Sequence, residues 1–136
     1  MTQFNLETTN KLSIQSYQDG EINIALSGSQ AELESSNAVQ CMTKSFILTP
    51  SQIIKDWIYN DVAEFTLDSF QPLIDQQPEL VILGTGKTLT FPNHQILQSF
   101  QLAGIGVEVM NTASACRTFN VLVSENRYVI AGLLII

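Results

Sequence analysis

Three apolar runs in the C-terminal half, 80–83, 105–110 and 128–136, are separated by two stretches in which apolar residues recur at helical spacing. A continuous apolar run is what a strand covered on both faces requires. Between the first two runs, Pro92 suits the first turn of a helix, Ile96, Leu97 and Phe100 mark its inner face, and Gly104 follows as a C-terminal cap. Between the second and third, Thr112 caps a helix whose inner stripe is Ala115, Phe119, Leu122 and Val123. Strand, helix, strand, helix, strand with connections this long implies parallel neighbours joined right-handedly.

The N-terminal half has a different rhythm. Leu12 and Ile14, then Ile22, Ile24 and Leu26, alternate with polar residues on either side of Asp19-Gly20, which is a strong hairpin signal. Strands are expected near 11–17 and 21–27, a polar loop over 27–37, and short strands at 39–42 and 46–49, the last stopped by Pro50. Residues 52–59 fit either a helical face (Ile53, Ile54, Trp57, Ile58) or an extended segment along a sheet edge. Thr66 or Asp68 is a candidate N-cap for a short stripe of Phe70, Leu73 and Ile74 ending before Pro78. At 136 residues the chain has the length of one domain. The expected fold is α/β in three layers: an N-terminal β meander over 11–49, and a C-terminal βαβαβ part over 80–136 that makes the central sheet mixed.

Composition narrows the functional classes. Six Lys and Arg against 13 Asp and Glu give a net charge of −7. There is no basic run, which argues against nucleic-acid binding, since that rests on neutralising phosphates. The two cysteines, Cys41 and Cys116, are far apart and form neither a disulfide framework nor a zinc-binding spacing. No metal site and no cofactor is expected. The start of the chain lacks the basic and apolar regions of a secretory signal. The longest apolar run falls well short of the about 20 residues that span a bilayer. A reducing, cytoplasmic setting without a transmembrane segment is the simplest reading.

Two nucleotide motifs fail on inspection. Gly86-Lys87-Thr88 resembles the end of a phosphate loop, but that pattern needs a glycine where Val81 stands. Gly84-Thr85-Gly86 opens like a dinucleotide fingerprint, yet Leu89 occupies the third glycine position. A tight turn leaving a buried strand accounts for these glycines. Cys116 near a helix N-terminus and beside Arg117 invites a thiolate reading. A nucleophile set with His94 and Asn120 can be drawn, although nothing brings His94 there, and a small buried core residue is the plainer alternative. Trp57 and Tyr59 read as core or edge packing, or as an anchor for a partner. Glu108 is the one acidic residue in the 105–110 run and needs a partner, water or a raised pKa. Arg117 and Asn120 follow on the next helix, near the carboxyl end of that strand, where open α/β sheets place ligand crevices. Gly84, Thr85, Gly86, Glu108, Thr112, Cys116, Arg117 and Asn120 are therefore the candidate pocket or docking site, built on a Glu108–Arg117 pairing. No residue is assigned a catalytic or metal-binding role.

The C-terminal half also reads Leu83-Gly84-Thr85-Gly86, then Phe91-Pro92, then Gly104-Ile105-Gly106-Val107-Glu108-Val109-Met110, Thr112, and Ala115-Cys116-Arg117-Thr118-Phe119-Asn120. This ordered set resembles a small single-domain family of unknown function typified by a methanogen structural-genomics protein. The family includes the adipogenesis-associated domain protein and the mitochondrial complex I assembly factor three. Residues 83–120 carry the resemblance, and the N-terminal hairpin, Thr49-Pro50 and Trp57 are compatible with it. Ser114 stands where the family commonly has Gly or Ala, and Phe119 where it commonly has Tyr, so no phenolic proton is available at that position. The resemblance implies the three-layer fold and no established reaction.

The expectation is a non-enzymatic accessory or assembly-type protein that acts through contacts with a protein partner, self-association included. The alternative is a binder of a small anionic metabolite, or an enzyme acting on one, with Arg117 holding the anion beside Glu108 and Cys116.

Overall fold

A computed structural model describes residues 11–26 and 39–135. The loop expected over 27–37 lies outside them. Strand β1 (Ser13–Gln18) turns through Asp19 and Gly20 into β2 (Glu21–Ala25), to which β3 (Val39–Met42) adds, all antiparallel. Gly20 takes φ +83, a left-handed conformation that glycine adopts without steric cost. The alternation read from the sequence has its physical basis in this sheet. Ile14, Ile22, Ile24 and Met42 are buried on one face, while their polar neighbours are exposed or half-exposed.

The second sheet comprises β4 (Phe46–Leu48), β5 (Ile53–Ile54), β6 (Leu80–Gly84), β7 (Gly106–Met110) and β8 (Val129–Leu133). Its order is β5-β4-β8-β6-β7. Strand β6 runs parallel to both β7 and β8, and β4 runs antiparallel to β8 and to β5. The expected mixed sheet with a parallel βαβαβ part is present. Between β5 and β6 lie two 3-10 turns, Val62–Glu64 and Leu67–Phe70, and the short α1 (Gln71–Asp75). Helices α2 (His94–Leu102) and α3 (Thr112–Ser124) form the crossovers.

The two long helices take opposite faces of the sheet. On one, Ala115, Cys116, Phe119 and Val123 of α3 meet Ile82, Ala131 and Leu133, and the three-stranded sheet closes over this layer with Ile14, Ile22 and Ile24. On the other, Ile96 and Phe100 of α2 meet Val81, Leu83 and Ile130, joined by Trp57, Phe65 and Phe70. A strand buried on both faces explains why β6 and β8 are continuous apolar runs.

Several local expectations change. Residues 52–59 form no helix: Ile53–Ile54 is a strand at the sheet edge and the rest is irregular. Trp57 is buried, its indole N–H donates to Ser69 O at 2.7 Å, and the ring lies on Gly132, where a Cβ would sit 2.8 Å from it. A flat indole against a strand with no side chain at that point wins over the helical spacing. Trp57 is thus an internal anchor, packed against Tyr59, Phe65 and Phe70. Of the two candidate caps, Thr66 precedes the 3-10 turn. The long helices are N-capped by asparagines, and Thr112, read as the cap of the second, is not one. Asn93 Oδ1 accepts from Gln95 N at 2.8 Å and Asn111 Oδ1 from Ser114 N at 2.8 Å. Pro92 therefore precedes α2, and Thr112 is the first residue of α3, which frees its hydroxyl for other work. Gly104 follows α2 at φ +75, as a C-terminal glycine should.

Candidate functional site

The geometry divides the eight candidate residues into three groups. Gly84, Thr85, Gly86 and Thr112 lie together at the carboxyl ends of β6 and β7. These adjacent strands lead into helices on opposite faces, so this is the position where an open α/β sheet forms a ligand crevice. Here the chain's own hydrogen bonds bridge β6, β7 and α3, and a surface pocket of about 340 Å³ opens beside them, with Asp61, Thr85, Lys87, Thr88 and Thr90 in its lining. Thr85 N donates to Met110 O at 2.9 Å and Thr112 N to Gly86 O at 2.8 Å. The fully buried Thr112 hydroxyl accepts from Gly86 N at 2.8 Å and donates to Leu134 O at 2.7 Å. Thr85 Oγ1 donates to Thr88 O at 2.6 Å and accepts from Thr90 N at 3.1 Å. A Cβ on Gly84 would approach Leu133 Cδ2 and Thr112 Oγ1 to 3.0 Å. These residues are a knot joining β6, β7, β8 and α3.

The helix end offers little to an anion. Thr112 N is taken by Gly86 O, Ser114 N by Asn111 Oδ1, and Ala115 N by Asn111 O. The donors that make a helix N-terminus an anion site are largely spent inside the protein.

Cys116, Arg117 and Asn120 form the second group, on the flank of α3 that faces β1. They line a shallow groove of about 290 Å³ with Ile14, Gln15, Ser16, Tyr17 and Ala113. Asn120 is committed to structure. Its Nδ2 donates to Ile14 O at 2.8 Å and its Oδ1 accepts from Ile14 N at 2.7 Å. The side-chain amide thus pairs with the outer edge of β1 as a neighbouring strand would, just where the β1–β2 register slips between Ile14 and Ser16. The Cys116 thiol is pushed up to about 12, because burial outweighs the lowering effect of Arg117. The thiolate reading is therefore corrected: from Thr112 as first residue, Cys116 falls in the second turn, inward, where desolvation disfavours the anion. Arg117 is exposed, and its Nη2 donates to Ser114 Oγ at 3.2 Å. Tyr17 was not foreseen here. Its phenol is raised by burial first, then by Asp19 and Cys116. Alternation from Leu12 and Ile14 points Tyr17 outward, and only the register slip between Ile14 and Ser16 brings it round opposite Ile22 and against the core.

Glu108 stands apart, and the pairing with Arg117 is not made. The ion pairs among the described residues are Lys87–Asp19 and Arg127–Glu79. Two geometric facts account for this. Strand β7 is the edge of its sheet, so Glu108 is exposed and needs no buried partner. Successive residues on a helix are about 100° apart. Asn120 turns toward β1 and Thr118 toward β7, where its Oγ1 lies 3.5 Å from Met110 Sδ. Arg117 follows Asn120 to the far flank. His94 is exposed at the start of α2, remote in sequence from Cys116 and outside its groove. Among the described residues no three His, Cys, Asp or Glu cluster as metal ligands, and no helix is long and apolar enough to cross a membrane.

A three-layer α/β domain with the carboxyl ends of β6 and β7 tied together by hydrogen bonds, a surface pocket beside them, and a shallow groove along one helix, is the class of protein that this geometry defines. Residues 14–134 match a family model described as a protein of unknown function (DUF498/DUF598), and the chain belongs to that family. It is 36% identical over 89 residues to the human protein named NADH dehydrogenase (ubiquinone) 1 alpha subcomplex assembly factor 3, a match covering 64% of this chain and 48% of that one. It is 32% identical over 85 residues to the 13 kDa major membrane protein of Francisella tularensis, covering 61% of this chain and 68% of that one. The chain thus spans about half the length of the human relative. Among solved structures, a protein from Bordetella parapertussis superposes with a TM-score of 0.78 at 24% identity, covering 94% of this chain and 98% of that one. A Mth938-like domain from Bordetella pertussis superposes with a TM-score of 0.70 at 21% identity, covering 94% and 87%. These likenesses are to the fold.

Proposed function

We propose that this protein is a non-enzymatic accessory factor of the assembly type, acting by contact with a protein partner. The observation that carries the reading is that the candidate polar groups at the sheet end are committed to the fold. Thr85, Gly86 and Thr112 spend their donors and acceptors on the chain's own hydrogen bonds, and among the described residues the pocket beside Thr85 brings together no nucleophile and base. The Cys116 thiol, pushed up to about 12, is a poor nucleophile at neutral pH. Family membership supports the same reading, since relatives carry the name of a complex I assembly factor. Whether this chain serves a respiratory complex is part of the proposal.

The test is purification of the tagged protein from its native host at low and moderate salt, with mass and stoichiometry measured on the eluted complex. A defined partner in fixed ratio is expected. A strictly monomeric protein with no stoichiometric partner overturns the reading.

The groove beside Arg117 keeps a second reading in view, a small anionic ligand held on α3. Its guanidinium is exposed and within reach of the groove's polar rim. Thermal-shift screening with carboxylate and phosphate metabolites would reveal such a ligand, and Arg117→Ala would abolish the shift. No hit, or a hit indifferent to that substitution, removes this reading.

A further inference from the structure

We propose that the open edge of β7 is the docking site, and that it takes an extended segment of the partner carrying a Lys or Arg opposite Glu108. The inference rests on the partner-binding function proposed above and names its surface. Among the described residues strand β7 ends the sheet, with β6 on one side and no strand on the other. Gly106 N donates to Glu79 O and Met110 O accepts from Thr85 N, both toward β6. In a parallel ladder the groups of alternate residues turn the same way. Gly106, Glu108 and Met110 therefore bond inward, and Val107 and Val109 turn their N–H and C=O outward. An edge presenting such a row is a template for strand addition.

Glu108 decides what can be added. An incoming antiparallel strand bonds to Val107 and Val109, which places its central residue opposite Glu108 in the non-hydrogen-bonded pair, where side chains lie closest. Glu108 is exposed, takes part in neither ion pair among the described residues, and is the only charged residue of β7. A cation opposite it is favoured, and a chain of net charge −7 draws a basic segment at longer range. A second copy is disfavoured, because pairing β7 with itself over its whole length sets Glu108 against Glu108. Val107 and Val109 are half-buried toward the α2 face, so the residues flanking the cation are apolar.

The probe is the blocked peptide Ser-Thr-Val-Lys-Val-Thr-Ser, with Ser-Thr-Val-Glu-Val-Thr-Ser as its counterpart, titrated against the protein at low salt and followed by amide NMR. The lysine peptide is expected to shift the Val107 and Val109 amides and to bind about five- to tenfold more tightly than the glutamate peptide. Glu108→Lys should reverse that preference. Val109→Pro should abolish binding, because it removes an outward N–H that the ladder does not use. If Val109→Pro does not fold, the exposed Glu108→Lys exchange decides alone. Equal binding of the two peptides, no shifts on β7, an unreversed preference, or self-association of the protein through these amides overturns the inference. A stoichiometric partner captured by a protein whose β7 edge fails this test leaves the assembly reading intact and removes only the edge.

Discussion

Thr112 shows how much one side chain can hold when its backbone position releases it from capping. Asn111 supplies the cap, so the Thr112 hydroxyl bridges Gly86 N and Leu134 O in a fully buried place. Thr112→Val keeps the shape and strands one donor and one acceptor, each costing about 1–3 kcal/mol when buried unsatisfied. A loss of about 2–4 kcal/mol is expected in urea denaturation, seen as a lower midpoint at unchanged slope. Thr112→Ser keeps the hydroxyl and should lose clearly less. If Val and Ser cost the same, the hydroxyl is not what ties the knot. Glycine acts here by absence: Gly84 leaves room for Thr112 and Leu133, and Gly132 for Trp57. The spacing of these glycines was visible in the sequence, but the groups they make room for were not.

At the scale of elements, α3 joins the two sheets, and Asn120 is its hinge with the smaller one. The amide gives Ile14 the two hydrogen bonds that an edge strand otherwise lacks. Asn120→Ala should free the β1 edge, with faster exchange of the Ile14 amide and a loss of about 1–3 kcal/mol. Asn120→Asp should not rescue it, because a carboxylate accepts from Ile14 N yet faces Ile14 O with no donor. Unchanged exchange at Ile14 in both variants would show that packing alone holds β1. In the sequence, Asn120 could be placed on the helix but not against a strand more than a hundred residues earlier. Arg117 and Glu108 illustrate the same difficulty, since proximity in sequence suggested a pair that the helix rotation separates.

For the whole molecule, the buried thiol links folding to alkaline pH. The Cys116 thiol moves from an ordinary 9.0 to about 12 in the folded protein because burial disfavours its anion. Between those values the unfolded chain has lost a proton that the native chain keeps, so stability is full below about pH 9 and falls as pH rises above it. The half-buried Tyr17 phenol, raised by burial first and then by Asp19 and Cys116, adds to the fall. Midpoints measured from pH 7 upward should decline above that point, and Cys116→Ala should flatten part of the decline. Iodoacetamide near neutral pH should label the exposed Cys41 and spare Cys116 until the chain unfolds. Early labelling of Cys116 would show the layer over α3 to be open. The architecture itself was legible in the residues. Strands buried on both faces must be apolar throughout, a strand buried on one face must alternate, and a helix must repeat its inner face every 3.6 residues, so layers and connections follow from local pattern. Which edge Glu108 occupies, which flank Arg117 takes, and whether the sheet-end crevice is open depend on strand order, helix rotation and long-range hydrogen bonds. Those are settled only when distant segments compete for the same space, and no local pattern encodes the outcome.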